Sequence, residues 1–238
     1  MPGPSAWIPA FAAMTISSVA LAGDLNAFRN LSQDQFHKLS QDLGATLSYK
    51  GVTPATPLGL VGFDLGLEVS ATDVKYSDLL RLAGGGGQST LYVPKLHIYK
   101  GVFAGFDIGA FVGGVSSVNA TLFGADVRYA LVDDTLTTPA VALRLSGTKS
   151  TGGGDLDVAT YGADLMVSKK FTLVTPYAGA GVVRVQSKAG GASLEREQFS
   201  QGRGFVGVNV NFGVINLAFE AEKMSGISTL SAKAGWRF

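Results

Sequence analysis

The stretch that decides the fold is Gly62-Phe63-Asp64-Leu65-Gly66-Leu67-Glu68-Val69-Ser70-Ala71-Thr72. Phe63, Leu65, Leu67, Val69 and Ala71 alternate with Gly62, Asp64, Gly66, Glu68 and Ser70. Successive side chains of a β-strand point to opposite faces, so one face here is wholly apolar and the other carries both acids.

The same rule recurs along the chain. Val102, Ala104, Phe106, Ile108 and Ala110 oppose Gly105, Asp107 and Gly109. Phe123, Ala125, Val127 and Tyr129 oppose Asp126 and Arg128, and Val141, Leu143 and Leu145 oppose Arg144. Tyr161, Ala163, Leu165 and Val167 oppose Asp164; Val183 and Val185 oppose Arg184 and Gln186. Val206, Val208, Val210 and Phe212 share a face, as do Ile215, Leu217 and Phe219 against Glu220 and Glu222. Leu230, Ala232, Ala234, Trp236 and Phe238 oppose Lys233 and Arg237. Leu91–Tyr99 is the weakest member, with Leu96 and Ile98 against Lys95 and His97 and an interrupting Pro94. Ten such segments predict an all-β fold, an antiparallel transmembrane β-barrel of about ten strands, twelve being the next even count. A charge on the lipid face would cost about 2–4 kcal/mol at the bilayer midplane, which explains why the charges keep to one face. A soluble sandwich also alternates, but its polar face carries more Lys and Glu than this Gly-, Ala- and Ser-rich one.

Composition narrows the function classes. Charged residues are 16% of 238, against about 25% for soluble chains, and glycine numbers 32. The absence of cysteine excludes disulfides and thiolate chemistry, and two histidines, His37 and His97, exclude most His-based metal clusters. A net charge of +1 argues against nucleic acid as a partner. No cofactor or metal is expected. Gly179-x-Gly181 lacks the helix a dinucleotide fingerprint requires and reads as strand packing. The pair Asp133-Asp134 reads as a turn.

The N-terminal part is different. Residues 1–22 read as a signal peptide: an apolar run ending Ala20-Leu21-Ala22 before Gly23-Asp24. Met1–Ser5 lacks the usual Lys or Arg, and Trp7–Met14 suggests a misassigned start codon. Residues 23–59 are expected to hold a helix over Asp24–Leu43, with Ser32 and Gln35 as a capping box and Gly44 as its stop, then an extended piece, Leu43–Gly51. Residues 60–238 form the barrel. The helix lies in the periplasm or beneath the barrel, or threads the lumen as a plug. Phe28, Leu31 and Phe36 on one face favour an apolar surface over a charged lumen.

The final strand, Ile227–Phe238, ends in Phe238 with Trp236 two residues before it, and with Ala234 and Leu230 in the same alternation. It resembles the C-terminal signature of bacterial outer-membrane β-barrel proteins. The resemblance implies localisation in the bacterial outer membrane. It also implies two partners: outer-membrane lipid, and the assembly machinery that reads Trp236 and Phe238. Counting back from Phe238 puts short turns near Gly213, Lys169–Phe171, Asp133–Thr138 and Lys100–Gly101. Outer loops fall near Lys223–Gly226, Lys188–Gln201, Ser150–Gly154, Ser116–Val118 and Lys75–Ser89. Tyr129, Tyr161, Tyr177, Trp236 and Phe238 are candidates for interfacial girdles.

The inward face is expected to hold a charge network. Its acids are Asp64, Glu68, Asp107, Asp126, Asp164, Glu220 and Glu222, and its bases Lys95, Arg128, Arg144, Arg184, Arg203, Lys233 and Arg237. Seven against seven predicts paired charges in a nearly filled lumen. The functional expectation is a structural or surface-exposed protein, or a narrow channel, and not an enzyme. A hydrophobic-ligand transporter gated by the helix is the alternative; it would need inward apolar positions, which are few, chiefly Phe111 and Phe205. An outer-membrane hydrolase built on His97 is a third. The oligomeric state is left open.

Overall fold

The computed structural model describes residues 27–103, 105–115, 119–191 and 193–238. The expected signal peptide, residues 1–22, and the outer loop expected at 116–118 lie outside them.

Ten antiparallel strands close into a single barrel: β1 (Phe63–Asp73), β2 (Thr90–Phe103), β3 (Phe106–Val115), β4 (Ala120–Val132), β5 (Ala140–Gly152), β6 (Leu156–Ser168), β7 (Val174–Ala189), β8 (Glu197–Phe212), β9 (Ile215–Met224) and β10 (Ile227–Arg237). Each pairs with its neighbours in sequence, and β1 pairs with β10 to leave no edge. Phe238 completes the seam: Phe63 and Phe238 exchange backbone hydrogen bonds of 2.7 and 3.0 Å. We call this the lower end, and the end bearing the 74–89 connection the upper end. That connection carries a short helix, α2 (Ser77–Leu82), where the sequence suggested only loop.

Outside, the wall shows Leu67, Val69, Leu96, Ile98, Ile108, Phe123, Val127, Leu145, Leu165, Val206, Phe219 and Leu230, all exposed. An apolar girdle this continuous is not a water-facing surface. Tyr129, Tyr161, Trp236 and Phe238 also face outward, but Tyr177 is buried inside the lumen and belongs to no girdle. The turn expected at Lys100–Gly101 is strand. Lys100 pairs with Ile108 and Gly101 with Asp107, and an irregularity between Gly101 and Phe103 carries β2 on to the turn before β3.

Helix α1 spans Gln33–Leu47; of the expected Asp24–Leu43, residues 24–26 lie outside the described residues and Phe28–Asn30 form a separate 3-10 turn. Ser32 caps it, and the reciprocal bonds between Ser32 and Gln35 form the expected capping box. Gly44 is not its stop but a packing notch: a Cβ there would meet Val185 Cγ2 at 2.6 Å. The reading that favoured a position beneath the barrel is corrected, because α1 lies in the upper lumen. Its side chains Phe36, Leu39, Leu43 and Leu47 are buried with wall residues Leu91, Val93, Val115, Leu122, Leu156 and Val158, while Ala45 packs with Val183 and Val185. Each large apolar side chain so buried contributes about 1.5–3 kcal/mol. The upper lumen is therefore apolar, and inward apolar positions are far more numerous than Phe111 and Phe205.

Candidate functional site

The site is the lumen and the chain segment within it. After α1, residues 48–55 continue downward fully buried, and the wall grips them at three levels.

Just below the helix, Lys50 turns back so that Nζ donates to Ala45 O at 2.6 Å. This satisfies a carbonyl that the helix end leaves open and sets a cation on the negative end of the helix dipole. Lys50 also lies 3.4 Å from Glu222.

At mid-lumen, Tyr49 is the hub. Its hydroxyl donates to Asp126 Oδ1 at 2.7 Å and meets Tyr99 Oη at 2.8 Å. Tyr99, on β2, reaches this point over Gly109 of β3, the residue that lies between Tyr99 and Asp126 in the register. A Cβ at Gly109 would sit 2.1 Å from Asp126 Oδ1 and 2.3 Å from the Tyr99 ring. Arg203 Nη1 donates to Tyr49 O at 2.6 Å, while Arg203 Nε donates to Asp164 Oδ1 at 2.6 Å and its Nη2 also bonds Asp164. Gly181 stands between these two strands, and its missing side chain opens the path, since a Cβ would fall 2.3 Å from Asp164 Oδ1. Asp164 also accepts from Arg144 Nε at 2.9 Å. Beside this group Glu68 accepts from Lys95 at 2.7 Å and lies 3.3 Å from His97.

Near the lower end, Arg128 pairs with Asp107 and donates to Pro54 O. Arg237 Nη2 donates to Thr53 Oγ1 at 2.6 Å and Arg237 Nε to Asp64 at 2.8 Å, with Lys233 also on Asp64 at 3.0 Å. Leu58 N donates to Asp107 at 3.1 Å. Outside the lumen Asp134 accepts from Lys169 at 2.9 Å and from Lys170 N at 2.8 Å, and the Lys169 bond holds its carboxyl below the ordinary range.

The register itself writes much of this pairing. Asp64 faces Arg237, Glu68 faces both Lys233 and Lys95, Asp107 faces Arg128, and Arg144 faces Asp164. Opposite charges set directly across a ladder attract. Of the fourteen charges expected inside, twelve are buried in the lumen, Arg237 is half-buried at its lower end, and Arg184 is not inside. Arg184 projects from the outer wall of β7 and donates to Gln198 at 3.1 Å. The cause is the apolar upper lumen: Val183 and Val185 turn inward to meet α1, so the parity that marks lipid-facing residues elsewhere is reversed here. Lys50 supplies the missing seventh base from the inner segment. Tyr49, Lys50, Thr53 and Tyr99 were not among the residues singled out from sequence, and Tyr177 was placed in a girdle rather than in the lumen. The signal available was a Ser-Tyr-Lys-Gly run at 48–51 placed straight after a helix. Glu220 has no hydrogen-bond partner among the described residues on either oxygen.

At the upper mouth, His37 Nδ1 lies 2.7 Å from Glu197, Tyr76 N donates to Asp42 at 2.7 Å, Arg29 Nε donates to Gly191 O at 2.8 Å, and Ala27 N donates to Ala83 O at 3.1 Å. The chain thus runs from the upper mouth through the whole lumen before it starts β1 at the lower end.

An apolar exterior, a lower lumen of paired charges and closed pairing define a transmembrane β-barrel with an internal plug. Among solved structures it is similar to the KdgM porin (8% identity, 74% of this chain and 99% of that one, TM-score 0.39). It is similar also to Neisserial surface protein A (11%, 74% and 95%, 0.33). A third is the attachment invasion locus protein of Yersinia pestis, in complex with the heparin analogue sucrose octasulfate (13%, 74% and 98%, 0.29). These are outer-membrane β-barrel proteins. At such low scores the likenesses carry no argument about this chain, and the barrel stands on its own pairing. No protein-family model and no curated protein matches the sequence.

Proposed function

We propose that this chain is a bacterial outer-membrane β-barrel held shut by its own N-terminal segment, and that it acts through its outer surface rather than as an open pore or an enzyme. The observation that carries the reading is the plug. Residues 47–55 are buried without exception, and Arg203, Arg128 and Arg237 of the wall each hold one of its backbone or side-chain oxygens. A plug tied at several heights blocks a continuous water path. His97, the residue a hydrolase would need, is buried and stacked on Phe111 with ring centroids 5.0 Å apart.

One observation favours a second reading, in which the helix gates a lumen for apolar ligands. The wall that α1 covers, from Leu91 and Val93 round to Val183 and Val185, is an apolar cup. The first reading is preferred because the lower lumen beneath that cup is charged and filled.

The test is leakage from vesicles loaded with a small charged dye, with folding checked by heat-modifiable gel mobility and insertion by co-flotation with the vesicles after a carbonate wash. Inserted protein is expected to retain the dye. Rapid leakage through inserted wild-type protein would contradict the sealed lumen, and leakage only of apolar solutes would favour the second reading.

A further inference from the structure

We infer that the outer wall of β5, β6 and β7 at the upper end carries a docking site for a phosphorylated lipid headgroup, with the acyl chains of that lipid lying on the apolar wall beneath. The inference rests on the reading of the barrel as membrane-embedded.

The rows of the sheet show why. Reading across the outward face, Leu143, Leu165 and Ala180 share one row, and Leu145, Ala163 and Val182 the next. These are lipid-facing positions. One row up, Tyr161 stands between Gly147 and Arg184, an aromatic ring at the level where chemistry changes. The row above holds Lys149, Ala159 and Gln186, and above that Lys188 stands across from Asp157. A cleft opens at this height, and Lys149, Asp157, Tyr161, Gln186, Lys188 and Arg196 line it. Its charged side chains are three cations against one acid, with Arg184 one row below.

These cations are exposed, and none of Lys149, Lys188 and Arg196 makes an ion pair among the described residues. That sets them apart from the lumen, where bases are matched to acids. Unmatched cations ringed above an apolar wall and a tyrosine complement a molecule with phosphate at one end and hydrocarbon at the other. The patch faces sideways, along the wall, rather than up from the mouth. A lipid in the adjoining leaflet meets that geometry, and a soluble polyanion does not need the apolar rows below.

The probe is diphosphorylated lipid A, offered to the refolded full chain in detergent and read by native mass spectrometry. The same lipid without phosphates serves as comparison. Three substitutions together, Lys149→Gln, Lys188→Gln and Arg196→Gln, are compared with Lys75→Gln, Arg81→Gln and Lys223→Gln, an equal charge change elsewhere on the upper rim. All six side chains are outside the lumen, and heat-modifiable mobility verifies folding; should the triple variant fail to fold, Lys149→Gln alone is read. Each cation near anionic lipid is worth about fivefold in affinity, so the first set is expected to weaken phosphorylated lipid about a hundredfold and the second to leave it within about threefold. Binding should also weaken as salt rises. Equal binding by the first set and wild type overturns the inference, as does equal retention of the phosphate-free lipid. A soluble sulfated oligosaccharide that binds as tightly as the lipid would assign the patch to a soluble polyanion and overturn the lipid assignment. Protein that folds but never enters vesicles would instead overturn the membrane reading beneath it.

Discussion

Arg203 holds the plug to the wall: its Nη1 donates to the carbonyl oxygen of Tyr49 at 2.6 Å while the rest of its guanidinium clasps Asp164. One side chain therefore joins three separate stretches of sequence. Replacing Arg203 with Gln leaves Asp164 with Arg144 alone and frees the Tyr49 carbonyl. A buried charge left with no partner costs about 3–5 kcal/mol, and because Asp164 keeps Arg144 the loss is expected below that range. The variant is expected to lose its heat-resistant gel mobility at a clearly lower temperature than wild type. An unchanged transition would show that Arg203 is not a structural tie.

Gly44 tests how tightly α1 is seated. With Val185 Cγ2 only 2.6 Å from where its Cβ would lie, Gly44→Leu must displace the helix or the wall. Over-packing of this kind costs about 1–3 kcal/mol. The expected outcome is a barrel that still folds but leaks dye from vesicles. A Gly44→Leu barrel as tight as wild type would mean that α1 can shift without opening a path.

Lys50 and Glu222 give a further check, one that shares a partner with the first because Arg203 Nη1 lies 3.6 Å from Glu222. Lys50→Met removes the base that sits over the end of α1 and 3.4 Å from Glu222. Because the cost lies in the charge left behind, adding Glu222→Gln should restore part of the loss. Urea unfolding of the two single variants and the double gives the coupling. Strict additivity would show that the two charges do not sense each other.

Arg184 supplies the contrast. It is exposed on the outer wall, so Arg184→Gln is expected to change stability by no more than about 0.5 kcal/mol in urea unfolding. A loss as large as that at Arg203 would place Arg184 in the lumen and contradict its position on the outer wall.

The direction of threading is testable with single cysteines, since the chain has none of its own. Cysteine at Arg29 and at Gly86 should react with a membrane-impermeant thiol reagent from the same side, and cysteine at Leu136, on the lower 133–139 turn, from the other. Labelling of positions 29 and 136 from one side would contradict a segment that enters at the upper mouth.

Most of the wall was legible in the sequence because lipid and lumen impose opposite chemistry on alternate residues. Asp64, Glu68, Asp107, Arg128, Arg144 and Asp164 could be assigned inward from parity alone. The plug was not legible for a related reason. Its helix has an apolar face, and a lumen assumed to be polar throughout gave that face nowhere to go. The wall residues that receive it, such as Val183 and Val185, look in sequence like lipid-facing residues, and this one ambiguity misplaced both α1 and Arg184. Tyr177 escaped similarly, since a tyrosine fits a girdle and a lumen equally well. Lys100-Gly101 has the composition of a turn, and only the pairing with β3 shows that the strand continues.

The central claim is that the lumen is sealed by residues 33–58, and single-channel conductance in a planar bilayer tests it most directly. Wild-type protein, with insertion demonstrated, is expected to be silent, and Arg203→Gln combined with Gly44→Leu to give discrete openings. Steady, reproducible openings from the wild-type chain would contradict the account.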